Sequence, residues 1–170
     1  MKKPNQKGFS LLELMVTLSI VAIVMAIAVP NMSQFLKNDR LTSYTNALIS
    51  DLMLARGKAV QRNQPVIVCA SDDQASCTGG DFKDGWIVAV DVDNDGTVGN
   101  ADDLIRVQNK IKGDIKYVDG GLNTIIFDSR GFAPNSSGQI SICDDRGDSK
   151  AKSISISPTG RTSRGGAPSC

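Results

Sequence analysis

The first third of the chain changes from a wholly apolar segment to an amphipathic one. Residues 9–29 are apolar except for Glu13 and a few small hydroxyl side chains, and this length allows one helix to span a bilayer. After Pro30, apolar side chains recur every three or four residues up to about Arg62, which predicts an amphipathic helix lying on another layer. These positions are Met32, Phe35, Leu36, Leu41, Tyr44, Leu48, Leu52, Ala55 and Ala59. We therefore expect one long helix, loosened near Pro30 because proline lacks an N–H.

The rest of the chain, residues 63–170, follows a strand pattern. Short apolar runs and alternating segments are separated by gaps rich in Gly, Asn, Asp and Pro. Seven strands are predicted, at 66–69, 86–90, 104–107, 115–118, 124–127, 139–143 and 153–157. The last two alternate strictly, so each is expected to bury one face. The predicted fold is α+β, a long N-terminal helix packed on an antiparallel β-sheet domain, with Trp86, Tyr117, Phe127 and Phe132 in the core.

The charge is balanced overall but unevenly distributed. Residues 71–103 contain nine acids and one base, whereas residues 146–170 contain five bases and one acid. The fold can therefore present an acidic and a basic region on different faces. The chain has no histidine, which excludes Ser-His-Asp and Cys-His catalysis. We do not expect an enzyme, or a cofactor other than the metal considered below.

Four cysteines are present, at positions 69, 77, 143 and 170. They allow three disulfide connectivities, and pairing is expected if the chain is exported. We favour Cys69–Cys77, which closes a short loop, and Cys143–Cys170, which ties the C-terminus to an earlier strand. Buried free thiols are the alternative. A zinc site is not expected, because no CxxC pair occurs.

Residues 91–102, DVDNDGTVGNAD, resemble a calcium-binding loop. Oxygen ligands fall at positions one, three and five (Asp91, Asp93 and Asp95), with glycine at six and an apolar residue at eight. Position twelve is Asp102 instead of Glu, and strands are predicted on both sides where helices would be needed. Asp, Asn and Gly are also common turn formers. The alternatives are a plain hairpin turn and a calcium site that stiffens the loop.

A basic, glycine-rich motif, GRTSRGG, occupies residues 160–166. Arginine and exposed backbone N–H groups suit phosphate binding, and Lys150 and Lys152 extend the basic set. Arg161 and Arg164 would point to opposite sides of an extended segment unless a turn intervenes. Binding of DNA here would depend on phosphate contacts and on salt, without reading the bases.

The N-terminal sequence KGFSLLEL, residues 7–14, follows a short basic leader without acids and resembles the class III signal of type IV pilins and pseudopilins. The resemblance implies that a prepilin peptidase cuts after Gly8 and that Phe9 becomes an N-methylated terminus. It also implies that Glu13, fifth in the mature chain, pairs with the terminal amine of a neighbouring subunit. That pairing would explain a carboxylate inside an apolar span, where an unpaired charge is costly.

This resemblance divides the chain into four segments: a removed leader (1–8), a membrane and filament-core helix (9–29), its amphipathic continuation (30–62) and a periplasmic β-rich domain (63–170). Basic residues before the span place the N-terminus in the cytoplasm. The expected protein is a single-pass inner-membrane protein before assembly, and part of an extracellular pilus afterwards. Its implied partners are the prepilin peptidase, the inner-membrane assembly platform, and other major and minor pilins.

The remainder of the chain looks like the GspH/FimT group of minor pilins and pseudopilins. The segments that carry this likeness are Val68-Cys69, the loop containing Cys77, Gly85-Trp86, the acidic turn, Leu104-Ile105-Arg106 and Pro158-Thr159-Gly160-Arg161. FimU-type minor pilins, which help initiate pili, and FimT-type minor pilins, implicated in DNA uptake, both fit. A GspH-like pseudopilin of a type II secretion system with no DNA role is the alternative.

FimT-type proteins carry a C-terminal Gly-Arg-x-Arg motif that binds DNA. This chain matches the motif at Gly160 and Arg161, but two residues instead of one separate Arg161 from Arg164. The resemblance therefore suggests DNA contact through Arg161. The alternative is a solvated segment whose arginines contact neighbouring subunits.

Overall fold

The computed structural model describes residues 8–99, 102–118 and 120–170. Residues 1–7 of the predicted leader, and Asn100 and Ala101 of the predicted calcium loop, lie outside these ranges. The described chain contains one α-helix, eight strands and a short 3₁₀ turn at Phe82–Asp84. The bounds are α1 Leu11–Arg62, β1 Val66–Ala70, β2 Trp86–Val90, β3 Asp103–Gln108, β4 Lys116–Val118, β5 Thr124–Phe127, β6 Gly138–Cys143, β7 Lys152–Ile156 and β8 Thr162–Arg164. The chain divides into two compact units between Asn38 and Asp39.

The first unit is the N-terminal part of α1. Every large apolar side chain between Phe9 and Val29 is at least 50 % exposed. The helix continues through Pro30 without a break, so the expected loosening does not interrupt it. Proline removes one N–H, and the nearby Asn31 Nδ2 donates to the Ile27 carbonyl oxygen at 2.9 Å. The helix is long and apolar enough to cross a membrane.

In the second unit, α1 buries one stripe of side chains. The stripe consists of Leu41, Thr45, Leu48, Asp51, Leu52, Ala55 and Ala59. The predicted apolar positions from Leu41 onward are therefore buried, except that Tyr44 is half-buried. Two polar residues, Thr45 and Asp51, lie in the same stripe, and the apolar pattern did not indicate them.

Two antiparallel sheets complete the second unit. Their strand orders are β3-β2-β1-β5 (sheet A) and β4-β6-β7-β8 (sheet B). All seven predicted strands are present to within one or two residues, so the predicted α+β fold is confirmed. The eighth strand, β8, was not predicted, because it lies inside the basic, glycine-rich motif. Its three residues, Thr-Ser-Arg, are too few and too polar for periodicity to reveal a strand.

Both faces of sheet A are covered near its centre. All five residues of β1 and of β2 are buried, because one face joins the main core and the other forms a smaller core. The smaller core contains Ile67, Cys69, Ile87, Ala89 and Val98. The apolar composition of these strands suits a sheet covered on both sides.

The prediction that β6 and β7 each bury a single face is wrong. Ser141 and Ser153 lie on the expected solvent side, yet both are buried. The C-terminal segment covers them: Ser169 N–H donates to Ser141 Oγ at 3.1 Å, and Ser153 Oγ donates to the Gly165 carbonyl oxygen at 2.9 Å. The strands alternate because their outer face is polar, and that face binds the returning chain.

The aromatic core differs from the predicted one in a single member: it contains Phe82, which is completely buried beside Trp86, and it lacks Phe132. Trp86, Tyr117 and Phe127 are buried, but Phe132 is 41 % exposed and is not a core residue. It lies in a surface turn, and the Arg130 guanidinium carbon lies 5.3 Å from the centre of its ring. This cation–π contact covers one face of the ring without burying it.

Candidate functional site

The predicted processing and assembly residues lie at the start of α1. Gly8 has open space where a Cβ would project, and Phe9 is 83 % exposed. Glu13 lies in the first turn of the helix, where the helix dipole favours a carboxylate. The side-chain hydroxyls of Thr17 and Ser19 donate to carbonyl oxygens of their own helix, three and four residues back. These two hydroxyl groups thus have partners that do not require water.

Backbone N–H groups hold the acidic loop closed. The buried Asp91 carboxylate accepts hydrogen bonds from Asp95 N (3.1 Å) and Gly96 N (3.0 Å). At the other end, the Asp102 carboxylate accepts from Val92 N and Gly99 N, both at 2.8 Å. These bonds are those of side chains that form turns. They also engage both oxygens of Asp91 and both oxygens of Asp102, which a calcium ion would need.

Three carboxylates nevertheless cluster in this loop. Ligand oxygens of Asp91, Asp93 and Asp95 lie within 4.8 Å of one another. Partial desolvation of Asp93, together with the nearby Asp95 charge, raises the pKa of the Asp93 carboxyl above its ordinary value. A neighbouring cation would relieve this repulsion. Calcium binding by these three residues and Asp102 stays a prediction.

The basic motif begins at the β7–β8 hairpin. The Ser157 N–H donates to the Arg161 carbonyl oxygen at 3.0 Å, and the Arg161 N–H donates to Ser157 Oγ at 3.1 Å. Gly160 has φ +74°, and a Cβ there would lie 1.9 Å from the Gly131 carbonyl oxygen. Only glycine satisfies both conditions. The Gly160 of the motif therefore has a packing role of its own.

The four predicted basic residues lie on or beside the β7–β8 hairpin. Arg164 lies on β8 opposite Ile154, two positions along β7 from Lys152, so these two basic residues share one end of the ladder. Arg161 lies at the hairpin turn, and Lys150 precedes β7. The segment from Arg161 to Arg164 is extended, as the expected opposite orientation of the two side chains requires.

A groove separates the C-terminal turns of α1 from the hairpin turn. The helix side is lined by Met53, Arg56, Gly57 and Val60, and the hairpin side by residues 160–162. The Arg56 Nε donates to the Gly131 carbonyl oxygen at 3.1 Å, which ties the turn after β5 to the helix. Sequence periodicity did not reveal this groove, because its residues come from distant parts of the chain.

Two disulfides secure the loops around these regions. Cys69–Cys77 closes the loop beside sheet A, and Cys143–Cys170 anchors the C-terminus on sheet B. These are the pairs that the spacing favoured. Within the first loop, the Asp73 carboxylate accepts hydrogen bonds from the Ser76 hydroxyl and from backbone N–H groups. These bonds hold the pKa of Asp73 well below its usual range.

Comparisons with known proteins agree with this architecture. The family model described as type II transport protein GspH matches residues 44–160, more than half of the chain. The chain belongs to the GspH family. A second model, the prokaryotic N-terminal methylation motif, matches residues 3–29. No curated protein sequence matches the chain.

Two solved structures share the fold of this GspH-family chain. Both are of the Pseudomonas aeruginosa type IV minor pilin FimU, in different crystal forms. The first is 20 % identical, covers 78 % of this chain and 93 % of the FimU chain, and has a TM-score of 0.62. The second is 19 % identical, covers 74 % and 93 %, and has a TM-score of 0.58. The chain is thus a GspH-family member with a methylation motif and the fold of a minor pilin, a class of structural proteins.

Sequence reasoning missed one structural group that fixes α1 on sheet A. The buried Asp51 carboxylate accepts from Trp86 Nε1 at 2.9 Å and from Arg106 Nε at 3.1 Å. The sequence could have indicated this group, because Asp51 falls at the helical spacing of the apolar stripe, between Leu48 and Leu52. A buried charge of this kind requires a partner.

Proposed function

We propose that this protein is a minor subunit of a type IV pilus, held in the inner membrane by the first half of α1 before assembly. The exposed apolar segment supports this best: every large apolar side chain from Phe9 to Val29 is at least half exposed, an arrangement that needs lipid or neighbouring helices around it. The C-terminal domain lies in the periplasm before assembly and on the outside of the fibre afterwards.

The assembly step depends on Glu13. Cleavage after Gly8 creates a positive amine on Phe9, close to a helix N-terminus, where the dipole disfavours positive charge. In the apolar interior of a filament, the Glu13 carboxylate of a neighbouring subunit neutralises that amine. Each charge is costly alone in such surroundings and less so when paired.

Replacement of Glu13 tests this step. Glu13→Ala is expected to insert and to be processed normally but to enter filaments poorly, while Ser10→Ala behaves as wild type. Membrane fractionation, the mass of the mature chain and the amount in sheared filaments separate the three steps. Normal incorporation of Glu13→Ala would show that the pairing is not needed.

The alternative is a pseudopilin of a type II secretion system, which the GspH family match supports. A deletion strain separates the two functions. Loss of surface pili with normal protein secretion supports the pilus subunit. Normal pili with a loss of protein secretion support the pseudopilin. The filament-core role of α1 is the same in both.

A second candidate function is DNA contact through Arg161, with Arg164, Lys150 and Lys152. It is favoured because Arg161 and Arg164 are exposed and, within the described residues, neither has an ion-pair partner. The full chain in detergent should then shift duplex DNA at low salt and release it as salt rises. Arg161→Gln and Arg164→Gln should each weaken the shift, and Arg164→Gln should do so without affecting piliation. Absence of a shift at low salt would remove this candidate.

A further inference from the structure

The groove between α1 and the β7–β8 hairpin has the properties of a protein-docking surface. Its volume is about 580 Å³. Met53 and Val60 on its helix side are 55 % and 54 % exposed, although both are large and apolar. Gly57 lies between them, with open space where a Cβ would project. Positions 53, 57 and 60 share one face of a helix, so together they form an apolar strip with a notch at its centre.

Two arginines line the same groove. The Arg56 side chain is held in place through its Nε, which donates to the Gly131 carbonyl oxygen. Arg161 makes no ion pair with any residue in the described ranges. An apolar strip beside cations complements a segment that presents an apolar side chain next to carboxylates.

The chain itself carries such a segment in its acidic loop. Val92 is 46 % exposed although it is apolar, and Asp93 and Asp95 follow it on the surface. Hydrogen bonds from the loop backbone to Asp91 and Asp102 hold the loop in shape, so little ordering is needed on binding. An arginine placed beside the clustered carboxylates of the loop would reduce the repulsion between their negative charges.

We propose that the groove of one copy, lined by Met53, Gly57, Val60 and Arg161, binds the acidic loop of a second copy, residues 91–96. The two surfaces are different, so the contact is head-to-tail. Such contacts extend into chains of molecules unless the rotation closes a ring. The contact deepens the proposed filament function by naming a partner for the globular domain, and it rests on that function for its role in assembly.

Self-association of the full chain in detergent tests the contact directly. Sedimentation equilibrium over a range of concentrations should show association that weakens as NaCl is raised. Arg161→Glu and Asp93→Arg should each weaken association at least about tenfold, because each places like charges together. An equimolar mixture of the two variants should regain wild-type association, because the exchanged charges again complement each other. Gly57→Leu, which fills the notch, should weaken association at every salt concentration.

Two matched variants serve as controls. Arg164→Glu and Asp72→Arg make the same charge changes at exposed positions outside the contact, and both should associate as wild type does. The fluorescence of Trp86, the only tryptophan, checks that every variant is folded. Association that ignores both salt and the two contact variants would come from the apolar helices and would overturn the proposal. So would monomers at all concentrations, or a mixture that fails to regain association.

The outcomes also separate this contact from the functions proposed above. Asp93→Arg should leave DNA retention undiminished, whereas Arg161→Glu should lower both DNA retention and self-association. Loss of filament incorporation in Glu13→Ala, with normal self-association in detergent, would show that the helix pairing and the domain contact are independent. Failure of the domain contact would leave the filament proposal standing on the apolar helix.

Discussion

The two halves of α1 use apolar side chains in opposite ways. Between Phe9 and Val29, apolar residues cover the whole circumference and every large one is exposed. Between Leu41 and Ala59, they form one stripe that is buried on the sheets. One continuous helix therefore serves two surroundings, lipid or neighbouring helices for the first half and the protein's own core for the second.

Polar groups differ between the halves in the same way. In the first half, the hydroxyls of Thr17 and Ser19 bond to their own helix and require no other element. In the second half, the Asp51 carboxylate reaches Trp86 and Arg106 on sheet A. Thr17 and Ser19 are thus satisfied within the helix, as Thr45 of the second half also is, whereas Asp51 depends on tertiary partners.

Equivalent truncations in the two halves should have the most unequal effects. Leu48 is completely buried, so Leu48→Ala should lower the free energy of unfolding by about 2–5 kcal/mol. Leu18→Ala removes the same atoms from the exposed segment and should leave it unchanged. Urea unfolding of the full chain in detergent, followed by Trp86 fluorescence, measures both. Equal losses of unfolding free energy in the two variants would contradict the distinction between an exposed first half and a buried second half of α1.

Asp51 tests the tertiary hydrogen bonds of the second half. Asp51→Ala leaves the buried Trp86 N–H without an acceptor and should cost about 2 kcal/mol. Asp51→Asn retains an acceptor oxygen and should cost about half as much, because Arg106 is partly exposed and regains water. The same urea series reports the difference. A larger loss for Asn than for Ala would show that the Trp86 bond is unimportant.

Alkaline pH should weaken the domain core but not the exposed half of the helix. The Tyr117 hydroxyl is buried without a partner among the described residues, and burial raises the pKa of Tyr117 far above its ordinary value of 10.0. The unfolded chain ionises near pH 10 while the folded one does not, so stability is complete below pH 10 and falls above it. The loss from this group should reach about 1.4 kcal/mol at pH 11.

Tyr117→Phe should abolish the loss of stability above pH 10 that comes from Tyr117. Tyr44→Phe, at the other tyrosine, should leave that loss unchanged. The measurement is the urea midpoint at several pH values from 8 to 11. Identical pH profiles for wild type and Tyr117→Phe would show that water reaches the hydroxyl.

The smallest expected effect is that of calcium on the acidic loop. At a calcium concentration equal to a weak-site dissociation constant of about 1 mM, binding would stabilise the fold by about 0.4 kcal/mol. We expect this gain in wild type and in Asp72→Asn, but not in Asp93→Asn. Thermal unfolding with calcium and with magnesium measures it. A midpoint that calcium does not change would leave the loop as a hydrogen-bonded turn.

Periodicity predicted the helix and seven strands because each of these elements places apolar side chains at a regular spacing. It failed at β8, where three polar residues extend an existing ladder, and on the outer faces of β6 and β7, where Ser141 and Ser153 bind the returning C-terminus. Phe132 was misplaced because composition does not distinguish a buried ring from one covered by Arg130. These errors all concern what covers a residue, which a local pattern does not contain.

The candidate sites divide in the same way. The motif around Gly8 and Glu13 is contiguous, so the sequence alone was enough to indicate a pilin-like N-terminus. The groove beside Arg161 joins residues about a hundred positions apart, and no local signal marks it. The packing requirement for Gly160 depends on the Gly131 carbonyl oxygen, which comes from the turn after β5 and belongs to no sequence motif.

By itself, the sequence determined the long helix, its change from apolar to amphipathic, the strand-rich remainder and the class of protein. These follow from side-chain spacing and from contiguous motifs, which are properties of neighbouring residues. The tertiary structure alone decided the Asp51 contacts, the covered outer faces of the sheets and the groove beside Arg161. Those features depend on which distant segments meet, and that is decided by the packing of the whole domain.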